Sequence, residues 1–82
     1  MDARNEKLRQ ARTEKGLSQS QLAAAAGINN RMLQYYEQGV KDVNGAKLST
    51  LLKMCLAMGC RLEDVLTDQE TLRLLEEYKK AV

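Results

Sequence analysis

The spacing of apolar residues along the chain predicts a series of short helices separated by glycines. A first helix is expected over about residues 4–15, because Leu8, Ala11 and Arg12 recur at helical spacing. Gly16 follows it, and glycine is the residue that most readily adopts the left-handed conformation at a helix end. The chain therefore opens on one amphipathic helix.

A second helix is predicted from a strong start signal. Ser18 and Gln21 form a capping-box pattern, and Leu17 and Leu22 stand where a hydrophobic staple needs its two partners. This helix is expected to run from Ser18 to Gly27.

The third predicted helix begins almost immediately. Asn29 is a suitable N-cap, Ile28 and Leu33 repeat the staple, and Gly39 ends the helix. Only Gly27 and the next two residues connect the two helices. Such a connection is too short for antiparallel packing and is typical of the steep crossing in a helix-turn-helix.

The second half of the chain predicts a loop, a core helix and a C-terminal helix. Residues 39–45 contain turn-forming residues and are interpreted as a loop. A fourth helix follows and ends at Gly59; the apolar stripe that we expect to face the core is Leu48, Leu51, Leu52, Cys55 and Leu56. A short helical turn over residues 60–66 would close the core. Thr67 and Glu70 offer a capping box for a last helix.

Composition favours an all-helical protein without catalytic chemistry. The 82 residues contain no proline, and strong helix formers dominate. Histidine, the commonest general base and metal ligand, is absent, so we expect no enzyme activity, no metal and no cofactor. Cys55 and Cys60 lie among Leu and Met and are interpreted as small buried apolar residues.

Charge is divided unevenly along the chain. Residues 1–62 carry 10 Lys and Arg against 5 Asp and Glu, a net of +5, whereas residues 63–82 carry 3 against 6, a net of −3. A basic body suits a polyanionic partner. No segment is apolar enough for a membrane span or a signal peptide, so a cytoplasmic protein is expected.

Three blocks of the sequence resemble the phage-repressor and Cro type of helix-turn-helix regulators, also called the xenobiotic-response-element type. The blocks are GLSQSQLAAAAGI, LQYYEQG and LSTLLKMCLAMGCRLEDVL, in the order and close to the spacing of that family. The resemblance spans about Leu8 to Leu66. It implies an all-α, five-helix lambda-repressor-like DNA-binding domain over residues 1–66, followed by an additional acidic amphipathic helix over residues 67–82.

The resemblance implies that the third helix, over about residues 29–38, enters the major groove. The candidates for base contact are Asn30, Arg31, Met32, Gln34 and Tyr35. Arginine can bind guanine through two hydrogen bonds, asparagine and glutamine can bind adenine, and methionine can contact the thymine methyl group. For each residue the alternative is a merely solvated helix face, and Arg31 is the strongest candidate.

The same resemblance suggests which residues contact the DNA phosphates. It places a phosphate-binding glutamine at Gln19, beside Ser18, where side-chain and helix-terminal donors can point toward an anion. Asn29 and Lys41 are further candidates. Asp42 departs from the family, because phosphate repels a carboxylate, and we expect it to turn away or to cap the next helix.

Three further residues are expected to be structural. Arg12 and Glu37 match positions where several family members have an ion pair joining the first helix to the third, which would position the third helix. Tyr36 is expected to point inward against the second helix.

Together these features predict a sequence-specific DNA-binding transcriptional regulator, expected to be a repressor from a prophage or bacterial chromosome that acts at the nucleoid. A homodimer on a palindromic operator of double-stranded DNA is expected, because two recognition helices one duplex turn apart read two half-sites. The candidates for dimer contact are Leu72, Leu75 and Tyr78. Packing of these residues on the chain's own core is the alternative.

Two other interpretations stay open. The acidic last helix could bind a partner protein, as in an antitoxin or an anti-repressor. The segment RMLQYYEQG is also similar to winged-helix regulators of the mercury-resistance type. Those proteins, however, begin almost directly with the helix-turn-helix and continue into a wing and a long coiled coil.

Overall fold

A computed structural model describes residues 5–82, which form five α-helices and two turns of 3₁₀ helix, with no strand in that range. The helices are α1 (Glu6–Glu14), α2 (Gln19–Ala26), α3 (Asn30–Gln38), α4 (Leu48–Met58) and α5 (Gln69–Ala81). The 3₁₀ turns are Val43–Gly45, before α4, and Leu62–Asp64, before α5. The all-helical prediction is confirmed, and the short fifth element expected before the C-terminal helix is a single 3₁₀ turn.

Asn5 caps α1 and joins it to two distant parts of the chain. Its side-chain oxygen accepts a hydrogen bond from the N–H of Leu8 (3.0 Å), while Nδ2 donates to the carbonyl of Val65 (3.2 Å). Its own N–H donates to the carbonyl of Glu37 (3.0 Å). The start that the sequence predicted for this helix, Arg4, lies outside the described residues.

The connection between α2 and α3 is as short as the sequence predicted. The Ser18 hydroxyl accepts from the N–H of Gln21 (3.1 Å), and Oε1 of Gln21 accepts from the N–H of Ser18 (2.8 Å). At the other end, Gly27 has φ +70°, a conformation that favours glycine. The N–H of Ile28 then donates to the carbonyl of Ala23 (3.0 Å), which closes the end of α2.

The core lies between the first four helices and the second 3₁₀ turn. Its buried apolar members are Leu8, Leu22, Ala23, Ala26, Leu33, Tyr36, Val43, Leu51, Met54, Cys55, Met58, Val65 and Leu66. Tyr36 points inward, as predicted. None of the helices within residues 5–82 is long and apolar enough to cross a membrane.

The orientation of α4 corrects the sequence prediction. The row of this helix that faces the core consists of Leu51, Met54, Cys55 and Met58. The neighbouring row, Leu48, Leu52 and Leu56, is exposed by 61%, 44% and 82%, so the prediction that these three leucines face the core is wrong. α4 packs mainly against α2, where the small side chains of Ala23 and Ala26 leave space that long, flexible methionines can fill.

α5 begins one residue later than the predicted capping box. The N-cap is Asp68, whose carboxylate accepts from the N–H and the hydroxyl of Thr71 (2.8 and 2.6 Å). The prediction that Thr67 and Glu70 cap this helix is therefore wrong. A charged acceptor makes a stronger hydrogen bond than a hydroxyl, and this favours Asp68 over Thr67 as the N-cap.

α5 is the least buried helix of the chain, since none of its residues is buried. Leu72 and Leu75 are half-buried against the core of their own chain, which is the alternative that the sequence left open for these two dimer candidates. The third candidate, Tyr78, is 64% exposed. Lys79 forms an ion pair with Glu63 and holds the pKa of that carboxyl below its ordinary value.

Asn44 fastens the start of α5 to the loop before α4. Its Oδ1 accepts from the N–H groups of Thr67 (2.9 Å) and Asp68 (3.1 Å). Its Nδ2 donates to the hydroxyl of Thr67 (2.9 Å) and to Oδ1 of Asp42 (2.7 Å). One side chain thus holds the loop and the C-terminal helix together.

Candidate nucleic-acid interface

α3 is buried on one face and polar on the other. Leu33, Tyr36 and Glu37 are buried. The outward face is formed, at helical spacing, by Asn30, Arg31, Gln34, Tyr35 and Gln38. All five side chains are at least partly exposed, and four of them are predicted base contacts. Gln38 was not among the predicted base contacts, although its position one helical turn after Gln34 places it on the same face of α3.

Met32 is set apart from the other predicted base contacts. It is half-buried and packs against the hydrophobic core, at the side of α3 away from Asn30 and Gln34. Part of the Met32 side chain therefore packs against the core, and the outward face of α3 is polar.

The N-terminus of α2 provides hydrogen-bond donors. The capping box uses the N–H groups of Ser18 and Gln21, and the N–H groups of Gln19 and Ser20 have no partner among residues 5–82. The Ser18 hydroxyl accepts a bond from Gln21, and its hydrogen is free to point outward. Backbone N–H groups at a helix start favour an anion such as a phosphate.

The side chain of Gln19 is held in place by α3. Its Nε2 donates to Oε1 of Glu37 (3.1 Å). A primary amide has two N–H groups, so one remains available to an external acceptor. The predicted phosphate contact is thus physically tied to the helix that carries the predicted base contacts.

Glu37 is the centre of a buried network that spans three helices. Its carboxylate receives two bonds from Arg12, Nε to Oε2 at 2.6 Å and Nη2 to Oε1 at 3.1 Å. Arg12 also donates from Nη1 to the carbonyl of Leu17 (2.9 Å), just before α2. Arg12 and Glu37 are only 9% and 6% exposed. Because a two-pronged arginine bond is directional, this network fixes α3 relative to α1 and to the start of α2.

The two ends of the Asn29 side-chain amide can serve different purposes at the start of α3. Its side-chain oxygen accepts from the N–H of Met32 (2.7 Å) and so caps the helix. The amide nitrogen of the same side chain is not used by the cap and lies at the exposed helix start. The cap therefore leaves donors that can reach a phosphate.

The loop after α3 places a lysine beside the same surface. The N–H groups of Val40 and Lys41 both donate to the carbonyl of Tyr35 (2.9 and 3.2 Å), and the side chain of Lys41 is exposed. Asp42 caps the first 3₁₀ turn by accepting from the N–H of Asn44 (3.0 Å). Asp42 therefore caps this 3₁₀ turn and not α4, whose N-cap is Lys47.

The two cysteines have the environment of structural residues. Burial and the neighbouring Cys60 raise the pKa of the Cys55 thiol to about 12, and burial also raises the pKa of Cys60. Both groups are therefore protonated at neutral pH, which suits neither a nucleophile nor a metal ligand. Within the described part of the chain, no three side chains of His, Cys, Asp or Glu are grouped so that they could hold a metal ion.

Two helices joined by a three-residue turn, with the second helix polar on its outward face, define a helix-turn-helix protein. A family model described as helix-turn-helix matches residues 8–65. The chain belongs to this family. The match ends before α5, so the C-terminal helix lies outside the shared region.

Solved structures similar to this chain include a controller protein, a gene regulator and a hypothetical transcription factor. The restriction-modification controller protein C.AhdI from Aeromonas hydrophila has a TM-score of 0.65 and 29% identity, over 76% of this chain and 89% of its own. The clp gene regulator ClgR from C. glutamicum has a TM-score of 0.64 and 31% identity, over 78% of this chain and 79% of its own.

A third similar structure is the hypothetical transcription factor NHTF from Neisseria, with a TM-score of 0.60 and 30% identity, over 83% of this chain and 74% of its own. No curated protein is significantly similar to the chain in sequence. The family and the three structures support a DNA-binding transcriptional regulator.

Proposed function

We propose that the protein is a sequence-specific transcriptional regulator in which α3 reads base edges in the major groove. The observation that carries this proposal is the outward face of α3, where Arg31, Asn30, Gln34 and Gln38 have the donors and acceptors that base edges require. The start of α2 and Lys41 would bind phosphates on either side of that groove and set the depth and register of α3.

We also propose that the protein acts as a homodimeric repressor. α3 has nine residues and is about 14 Å long, which is enough for one half-site. A homodimer would place a second copy of α3 one duplex turn away on a palindromic operator. Residues 1–66 would form the DNA-binding domain, and residues 67–82 would form an additional C-terminal helix. Occupying a promoter in this way would repress transcription at the nucleoid.

The first experiment is a selection of random duplex DNA by the purified protein near 0.15 M salt. Fluorescence anisotropy then compares the selected duplex with a scrambled control of equal length. We expect a palindromic winner bound at least about a thousandfold more tightly than the control. No enrichment, with only weak salt-sensitive binding, would contradict the proposal.

Substitutions separate base reading from phosphate binding. Arg31→Ala should weaken binding by about 1–3 kcal/mol per half-site and relax preference at one base pair in each half-site, because its guanidinium would contact one guanine there. Gln19→Ala should weaken binding to all sequences alike. Arg73→Ala, on exposed α5, is the matched control and should change neither. An equal loss on every sequence for Arg31→Ala would refute its assignment as a base contact.

A second candidate function is a protein-interaction module, such as an antitoxin or an anti-repressor. It is favoured by the exposed apolar side chains of α5, which include Leu74 (53%) and Tyr78 (64%). Co-expression with the product of a neighbouring toxin-like gene tests it. A stable one-to-one complex that the Tyr78→Glu variant does not form would favour this second function.

A further inference from the structure

The side-chain amide of Asn44 has all of its hydrogen-bonding positions occupied. Its two amide hydrogens go to Oδ1 of Asp42 (2.7 Å) and to the hydroxyl of Thr67 (2.9 Å). Its oxygen accepts from the N–H groups of Thr67 (2.9 Å) and Asp68 (3.1 Å). The backbone N–H of Asn44 adds a second bond to the same oxygen of Asp42 (3.0 Å). The carboxylate of Asp42 is thus held against Asn44 and the segment that begins α5.

The position of this carboxylate matters because Lys41 precedes it. Lys41 and Asp42 are the two charged residues of the segment 39–46, and both are exposed. The backbone N–H of Lys41 is bonded to the carbonyl of Tyr35, which keeps the lysine beside the end of α3. A carboxylate next to a lysine can pair with its ammonium or repel the phosphate that the ammonium contacts. Two donors on one oxygen of Asp42 fix where its negative charge lies.

The far partners of Asn44 lie outside the shared helix-turn-helix domain. The family match ends at residue 65, whereas Thr67 and Asp68 follow it and Asp68 caps α5. The segment 63–82 has a net charge of −3, which disfavours its direct contact with DNA. Its bonds to Asn44 nevertheless connect it to the loop that carries Lys41.

We propose that Asn44 is a positioning residue for DNA binding, which holds the Asp42 carboxylate toward the start of α5 and leaves Lys41 to contact a phosphate. The C-terminal segment would in this way strengthen DNA binding without touching the DNA. The inference rests on the proposed function, because the phosphate contact of Lys41 is part of that function. When Asn44 is removed, the carboxylate of Asp42 is released beside Lys41 and opposes the contact.

The first test measures the affinity of the full chain for its selected duplex by fluorescence anisotropy. Asn44→Ala should bind about tenfold more weakly with unchanged base preferences, because a charge-assisted contact is lost. Thr67→Val removes only the hydroxyl that Asn44 contacts and should cause a smaller loss. Gln10→Ala is the matched control, since it removes another exposed side-chain amide bond, to Glu14 (3.0 Å), and should bind as the wild type does. Wild-type affinity in Asn44→Ala would overturn the inference.

A rescue experiment separates a positioning role from a contribution to stability alone. Adding Asp42→Asn to Asn44→Ala replaces the released carboxylate with a neutral amide. Operator affinity should return to within about twofold of the wild type. The midpoint of urea unfolding should remain at the value of Asn44→Ala, because the bonds to Thr67 and Asp68 are still missing. A double variant that binds DNA as weakly as Asn44→Ala would overturn the inference.

A double-mutant cycle shows whether Asn44 acts through Lys41. In a Lys41→Ala background, Asn44→Ala should reduce operator affinity by at most about threefold, because the contact that it supports is already absent. In an Arg31→Ala background, the same change should still cause the loss of about tenfold, since Arg31 is on a different part of the interface. Equal losses in the two backgrounds would show that Asn44 does not act through Lys41 and would overturn the inference.

These measurements distinguish failure of the inference from failure of the proposed function. A wild type that selects an operator, with Asn44→Ala binding it equally well, would overturn the inference and leave the function standing. A wild type that selects no DNA would overturn the function, and the inference with it. Circular dichroism should show unchanged helical content in every variant, so that a loss of affinity does not reflect unfolding.

Discussion

Glu37 is the residue at which three helices are joined, and its substitution should strongly destabilise the fold. Glu37→Gln leaves the buried guanidinium of Arg12 without a counter-charge. We expect the free energy of unfolding in urea to fall by about 3–5 kcal/mol. The double variant Arg12→Met with Glu37→Leu should lose less, because it removes both buried charges together.

The matched control for this prediction is Glu76→Gln on α5. Glu76 is exposed, and its substitution should change the free energy of unfolding by no more than about 0.5 kcal/mol. If the double variant is as unstable as Glu37→Gln alone, the effect of the single change is not that of an unpaired buried charge.

Single residues also show which contacts a sequence can and cannot reveal. The N-caps at Ser18 and Asn29 were predictable, because the cap and the group it binds are three residues apart. Asn5 and Asn44 bind partners 60 and 23 residues away, and such contacts leave no periodic pattern in the sequence. The bond from Gln19 to Glu37 belongs to the same class, since only the crossing of α2 and α3 brings the two side chains together.

At the scale of elements, α4 shows the limit of hydrophobic periodicity. Both of its apolar rows have helical spacing, so the pattern predicts the helix but not its rotation about its own axis. The choice depends on how α4 packs against α2, which buries the row that contains Met54 and Met58. α5 shows a similar limit, because adjacent Thr67 and Asp68 both satisfy the rule for a cap and only the structure selects Asp68.

The Asp68 cap should make the start of α5 sensitive to acid. Its bonds from Thr71 lower the pKa of Asp68 below the ordinary value of 3.8. A carboxyl with a lowered pKa in the folded state stabilises the fold above its unfolded pKa, and this contribution is lost as pH falls through the folded pKa. The first turn of α5 should therefore loosen only in strong acid.

Nuclear magnetic resonance can follow this transition at the amide of Thr71. The titration midpoint of that amide should lie below 3.8. In Asp68→Asn the side chain still accepts a hydrogen bond but does not titrate, so the same signal should be flat over this range of pH. A midpoint at or above the ordinary value would show that the carboxylate does not hold the cap.

At the scale of the whole molecule, the division of charge determines which surface can approach DNA. The net charge is +5 over residues 1–62 and −3 over residues 63–82. The predicted phosphate donors at Ser18, Gln19 and Lys41 all lie in the basic part. The carboxylates of α5 would be repelled by DNA, which leaves that helix available for contact with a second subunit.

Lys41→Ala tests this division through the salt dependence of operator binding. Each lost phosphate contact should lower the slope of log Kd against log salt concentration by about 1, so a dimer should lose about 2. Base preference should be unchanged, because a phosphate contact does not read sequence. Lys80→Ala, at an exposed lysine of α5, should leave the slope unaltered. Equal losses for the two variants would place α5 on the DNA as well and would contradict the restriction of DNA contact to the basic part of the chain.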